Sequence, residues 1–357
     1  MTKRSQRRRT RPKLSNVSLT DVAAHAGVST ASVSRVLNQT TFVSEDVREK
    51  VEQACRELGY VPNGAARALS SRRTMTVGAI VPTIENSGFA LTVSSLQRHL
   101  KRSGYTLLLA SSEYDPEVEL RETRTLLMRG IDGIMLVGGE HHPQLLPLIT
   151  QHDVPFVETW TLTPGRPSVG FDNAEAAYAL TRHIVDLGHR RIGLIAGRTS
   201  SNDRSSAREA GVRACLRDHG LTLACEWFIE RPYRILDGQQ AMHALLQRAD
   251  RPTAVVCGND QLAFGALIAA MHEGLRVPDD ISVAGFNDLE YAAHLSPPLT
   301  TIRVPAEEIG AEAARLLLAQ IANDAEVSTH VNVPYNLVTR ASTAAPAGER
   351  RRDRRLT

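Results

Sequence analysis

Three groups of residues carry side chains that could do chemistry, and their spacing favours binding over catalysis. Between Ser18 and Asn38 the chain sets Ser29, Thr30, Ala31, Ser32, Ser34, Arg35 and Asn38 at helical spacing. Small polar side chains at the start of a helix let it approach base edges in a major groove, where an arginine reaches guanine O6 and N7. Asp115, Glu117 and Glu119 read as the charged start of a helix, not an acid–base pair. His141-His142 has no third ligand spaced to join it, so a solvated loop is expected there and no metal site. Cys55, Cys215, Cys225 and Cys257 form no CxxC pair and read as reduced thiols. The sequence has no GxSxG, P-loop or HExxH, and no GxGxxG follows the first strand-like run, so the usual catalytic and cofactor signatures are missing. No cofactor is expected.

The first group needs a pair of short helices. Ser18 caps one, with Asp21 in its first turn and Leu19, Val22, Ala23 and Ala26 on one face. Gly27 supplies the backbone freedom of a tight turn. Ser29 caps the second helix, whose Val33, Val36 and Leu37 turn inward while Thr30, Ala31, Ser34, Arg35 and Asn38 stay outside. A third helix, Glu45–Leu58, closes the small core with Val47, Val51, Ala54 and Leu58 and ends at Gly59.

Charge follows the same division. Up to Arg73 there are fourteen basic and six acidic side chains, an excess of eight, whereas all 357 residues together carry +3. A basic head on a mildly acidic body suits a polyanionic partner. Aromatic residues are only 4% of the chain, too few for a surface that stacks many single-stranded bases.

From Thr76 onward, short apolar runs alternate with helix-length amphipathic segments. The runs include Val77–Val81, Thr106–Ala110, Gly133–Val137, Arg191–Ile195, Ala254–Cys257 and Ile281–Gly285. The helical segments include Leu91–Ser103, Ala174–Leu187, Arg208–His219 and Gln261–Glu273. This pattern argues for parallel sheets covered by helices, and its length for two lobes. The expected organisation is a disordered basic arm (1–16), a helix-turn-helix domain (17–60), a hinge helix or linker (61–73), a two-lobed effector-binding and dimerisation domain (74–343) and a disordered tail (344–357). The apolar runs are too short to span a bilayer and no leader-like stretch follows the basic arm, so a cytoplasmic protein with no membrane partner is expected.

Ser18-Leu-Thr-Asp-Val-Ala23, Ala26-Gly-Val-Ser29, Ser32-Val-Ser-Arg-Val-Leu-Asn38, Glu57-Leu-Gly-Tyr-Val-Pro-Asn63 and Ala65-Ala-Arg-Ala-Leu69 resemble the lactose-repressor family of bacterial transcription regulators. The likeness continues to about Ser342. It implies a small all-α head joined to an α/β two-lobed body like the periplasmic binding proteins, acting as a homodimer on pseudo-palindromic double-stranded operator DNA. Thr30 and Ala31 would occupy base-reading positions, Arg35 would contact guanine or phosphate, and Ser29, Ser32, Ser34 and Asn38 would contact phosphates. Asn63–Ser70 would be the hinge helix, with Asn63, Ala66 and Arg67 at the minor groove and Leu69 wedged into the central base step.

In the body, the resemblance implies an effector between the lobes, held by Phe89, Trp160, Arg208, Tyr233, Asn259 and Asn287. Asn287 stands where many relatives carry aspartate, and Trp160 where aspartate is frequent. Both departures tilt the site toward a neutral or anionic ligand. Tyr114-Asp-Pro-Glu-Val-Glu119, Glu140-His-His-Pro143 and Val169-Gly-Phe-Asp-Asn173 are similar to the gluconate-repressor branch, so a sugar acid such as gluconate is the leading effector. The expected function is a repressor of carbohydrate or sugar-acid utilisation genes. The competing reading is a sugar-metabolising α/β enzyme with an appended DNA-binding head.

Overall fold

The computed structural model describes residues 17–38, 43–61, 73–324 and 329–347. They form two compact units that divide between Thr74 and Met75. The basic arm and the hinge residues Asn63, Ala66, Arg67 and Leu69 lie outside the described residues.

The head is built from α1 (Leu19–Ala26), α2 (Thr30–Asn38) and α3 (Glu45–Leu58). Ser18 and Asp21 cap α1 reciprocally: the Asp21 N–H donates to Ser18 Oγ and the Ser18 N–H to Asp21 Oδ2. Gly27 ends α1 at φ 66°, in the left-handed region glycine adopts without strain. Ser29 Oγ accepts the Ser32 N–H at the start of α2. Val22, Ala23, Val33, Val51 and Ala54 are buried together, with Val36, Leu37, Val47 and Leu58 packed against them.

Each lobe of the body is a six-stranded sheet. Lobe 1 holds β1 (Thr76–Val81), β2 (Thr106–Ser111), β3 (Gly133–Val137), β4 (Phe156–Thr159), β5 (Ser168–Gly170) and β11 (His330–Asn332), in the all-parallel order β11–β5–β4–β3–β1–β2. Lobe 2 holds β6 (Ile192–Ala196), β7 (Phe228–Glu230), β8 (Ala254–Cys257), β9 (Ser282–Asn287), β10 (Thr300–Arg303) and β12 (Asn336–Val338). Their order is β12–β10–β9–β8–β6–β7, and only β12 is antiparallel. In lobe 1 the helices are α4 (Ser87–Arg102), α5 (Pro116–Met128), α6 (Leu145–Gln151) and α11 (Ala306–Ile321). In lobe 2 they are α7 (Asn173–Asp186), α8 (Asp203–Asp218), α9 (Ile235–Leu246) and α10 (Asp260–His272). The chain crosses between lobes three times, after β5, β10 and β11.

β3, β6 and β8 are buried along their whole length, as strands covered on both faces must be. α8 begins five residues before the expected Arg208, because Asn202 caps it by accepting the Ser205 N–H. Ordered structure also runs past residue 343. Ala344 accepts from Ser282 Oγ, and its N–H donates back to the same oxygen, so the tail cannot begin at 344. Among the described residues no helix is long and apolar enough to cross a membrane.

The loop leaving β3 is held by charge, and here the sequence expectation fails. The His141 side chain is only 2% exposed. Its Nδ1 lies 3.0 Å from Glu119 Oε2, and its Nε2 lies 3.4 Å from Glu158 Oε1. Arg166 Nη1 pairs with that Glu158 oxygen at 2.8 Å, and Arg166 Nη2 donates to the Gly139 carbonyl. Glu119 does lie in the charged first turn of α5, as expected, and is buried there against His141. Burial opposes charge on the imidazole, but the combined hydrogen bonds and charges of the two glutamates outweigh it and raise His141 to about 9.

A folded pKa above the ordinary value of 6.5 fixes the direction of the pH effect. The stabilisation is complete below pH 6.5 and is lost as pH rises through 9. Urea melts across that range should show the wild type losing up to about 3 kcal/mol more than His141→Gln. Parallel curves would mean that the imidazole is neutral in the fold.

Candidate functional site

Ten residues line a narrow, nearly closed cavity between the lobes with about 20 Å³ of free space, room for about one water until the lobes part: Asn86, Phe89, Tyr114, Trp160, Asn202, Arg204, Arg208, Tyr233, Asn259 and Asn287. Lobe 1 supplies the first four, from the segments following β1, β2 and β4. Lobe 2 supplies the rest, from the segments following β6, β7 and β8 and from the last residue of β9. Every one sits at the carboxyl end of a strand, where open parallel sheets leave a crevice. All six residues expected at the effector site are thus brought together. Asn86, Tyr114, Asn202 and Arg204 were not expected there.

Backbone geometry explains part of the cavity's shape. Tyr114 (φ 61°), Trp160 (φ 67°) and Asn287 (φ 117°) all hold positive φ, which bulky residues rarely adopt. Strain of this kind persists where surrounding contacts over-determine a position. For Trp160 those contacts are specific. Its Nε1–H donates to Thr92 Oγ1 at 3.2 Å, its carbonyl accepts from Asn173 Nδ2 at 2.8 Å, and its ring meets Phe89 edge-on at 4.9 Å.

Arg208 is placed by close helix packing. A Cβ at Gly211, one turn on, would run into the Ala174 carbonyl, so only glycine lets α8 lie this near α7. The guanidinium donates from Nε to Asn173 Oδ1 at 2.9 Å and from Nη1 to the Gly258 carbonyl at 2.9 Å, and stacks over the Phe286 ring at 3.8 Å. These bonds use two of its five N–H donors. Among the described residues no carboxylate pairs with it, and burial lowers its pKa.

The other nearby acids already have partners. Asp203 pairs with Arg204 at 2.7 Å, and its Oδ2 accepts the Gly139 N–H across the cleft. Asp288 pairs with Arg303 and Arg340, each at 2.7 Å. Asp260 accepts from Thr301 Oγ1 and the Leu289 N–H, and burial pushes it up to about 6. No carboxylate lines the cavity, and the unbalanced charge facing it is Arg208.

The amides divide by role. Asn86, Asn202 and Asn259 cap helices through Oδ1; this leaves the N–H₂ ends of Asn86 and Asn202 for a ligand, while Asn259 Nδ2 also donates to Gln261 Oε1 at 3.4 Å. Asn287 Oδ1 and the Tyr233 hydroxyl are buried without a hydrogen-bond partner. Such atoms in the wall of a cavity call for a partner, a water or a ligand. Together the lining suits a small ligand rich in acceptor oxygens, with C–H faces for Phe89, Trp160, Tyr114 and Tyr233. Among the described residues no group of three or more His, Cys, Asp or Glu could hold a metal ion.

On the head, Ser29, Thr30, Ala31 and Arg35 are exposed along α2, Ser32 and Ser34 are half-buried, and Asn38 ends the helix. The exposed residues form a polar surface opposite Val33, which suits insertion into a groove.

The family profile for bacterial regulatory proteins of the lacI family matches residues 18–63, and a periplasmic binding protein-like domain matches 181–343. The HTH-type transcriptional repressor PurR of Yersinia enterocolitica is 36% identical over 328 residues, covering 91% of this chain and 96% of that protein. The chain belongs to the LacI family. It is a DNA-binding, ligand-responsive transcriptional repressor and not an enzyme. The lac repressor dimer bound to operator and the anti-inducer ONPF superposes with a TM-score of 0.82 at 29% identity, covering 92% of this chain and 99% of that one. The regulator GntR of Chromobacterium violaceum gives a TM-score of 0.72 at 33% identity, over 75% of this chain and 99% of that one.

Trp160 and Trp227 are the two tryptophans, and Trp160 alone of them lines the cavity. A ligand entering the cleft should change Trp160 emission, and Trp160→Phe should abolish that change while Trp227 still emits. A change surviving the substitution would place the ligand elsewhere.

Proposed function

We propose that this repressor acts as a homodimer and responds to an anionic, polyhydroxylated small molecule, a sugar acid such as gluconate, bound between the lobes of the body. One observation carries the reading: Arg208 is a buried guanidinium without a carboxylate partner, on a cavity lined by no acid. A ligand carboxylate would complete it through a charge-assisted hydrogen bond. The amides would take the hydroxyls, and the aromatic rings the C–H faces. Four aromatic rings also suit a planar nucleobase, so a purine is the competing ligand.

On the DNA side, α2 reads the major groove. Arg35 meets a guanine, Thr30 and Ala31 meet base edges, and Ser29, Ser32, Ser34 and Asn38 meet phosphates. Asn63, Ala66, Arg67 and Leu69 act as the hinge set in the minor groove, paired across the dimer. The effector works by binding one arrangement of the lobes better than another, which biases the folding of the hinge segment 61–73. Sugar-acid utilisation genes are the targets that this chemistry favours.

Arg208→Ala should abolish ligand binding and the ligand response while operator affinity without ligand changes little. Fluorescence anisotropy on labelled operator, with and without gluconate, tests this, and an intact response would remove Arg208 from the site. Arg35→Ala should cost roughly 1–3 kcal/mol of specific binding, the worth of a bidentate guanine contact. An unchanged ratio of specific to non-specific affinity would take Arg35 out of base reading.

A further inference from the structure

We propose that Asn173 sets the charge selectivity of the cleft: by meeting Arg208 with a neutral amide instead of a carboxylate, it leaves the guanidinium's charge for the ligand to satisfy. The inference rests on the anionic-effector reading above and adds a residue that neither touches the ligand in that reading nor lines the cavity.

Asn173 is the first residue of α7, where the chain has just crossed from β5 into lobe 2. It is 4% exposed. Its Oδ1 accepts from Arg208 Nε at 2.9 Å, and its Nδ2 donates to the Trp160 carbonyl at 2.8 Å. The amide orientation follows from its partners, because a guanidinium only donates and a carbonyl only accepts. One side chain therefore ties the cleft's unbalanced cation in lobe 2 to the strained end of β4 in lobe 1.

The charged side chain of the same size and shape that could accept from Arg208 here is aspartate. Aspartate would be tolerated by the helix, since a negative charge in the first turn is favourable. It would also close a buried ion pair with Arg208 and use up the charge that a ligand anion needs. The amide avoids this. The nearby acids fit the same arrangement, since Asp203 is held by Arg204 and Asp288 by Arg303 and Arg340, and neither pairs with Arg208.

The test uses the full chain and two matched probes: gluconate, and glucitol, which replaces the carboxylate by an uncharged alcohol. Calorimetry gives the ratio of their affinities within each variant, so losses shared by both probes cancel. Wild type should prefer gluconate. Asn173→Asp also loses the Trp160 bond and should weaken both probes, but gluconate roughly tenfold or more beyond glucitol, the size expected for losing a charged hydrogen bond. Asn173→Ala, which loses the same Trp160 bond but adds no charge, should weaken both probes and keep the preference. A preference that persists in Asn173→Asp, or vanishes in Asn173→Ala, overturns the role of Asn173 alone. Wild type binding gluconate no better than glucitol overturns the anionic reading, and this inference with it.

Discussion

The buried guanidinium of Arg208 is the constraint on which the rest of the body turns. Removing a cation from water is expensive unless something replaces the lost solvation. Here the replacement is partial: two hydrogen bonds, donated to Asn173 Oδ1 and the Gly258 carbonyl, and the face of Phe286. These hold the group in place without neutralising it. What remains is a fixed positive charge with free donors, in a cavity that no acid lines. Anions gain most from such a site, because a low dielectric strengthens any charge that completes the pair.

The surrounding architecture serves to keep that group placed. Two parallel sheets turn their carboxyl ends toward one crevice, so ten side chains from seven segments converge on it. Three of those residues, Tyr114, Trp160 and Asn287, hold positive φ. The buried Glu119–His141–Glu158–Arg166 array fixes the loop after β3, and Gly139 on that loop takes hold of Asp203, beside Arg204. At Gly138 a Cβ would collide with the Arg204 guanidinium, so the lobes meet there through backbone and charge. Contacts of this kind can be remade when the lobes rearrange, which an effector response requires.

Much of this is legible in the sequence where the signal is local. Ser18, Gly27, Ser29 and Gly59 mark the helix ends of the head because caps act within one turn. The strands of the body stand out as apolar runs, and six cavity residues follow from motif resemblance. Asn86 and Asn202 could have been found by the grammar that marks Asn259, an asparagine capping the helix just after a strand. Tyr114 could not, because its place depends on a positive φ that no residue type announces. Nor could His141, whose burial depends on carboxylates 22 and 17 positions away in sequence that only the fold brings to it. Asn173 was visible only as part of a motif, and its bond to Arg208 spans 35 positions.

The most direct test is operator affinity of the full chain measured against gluconate, glucitol and a purine base at fixed salt. If the unpaired guanidinium governs the response, gluconate alone shifts operator affinity, by the roughly 5- to 150-fold that allosteric couplings span. A shift driven by glucitol or the purine, with gluconate silent, would contradict the account at its centre.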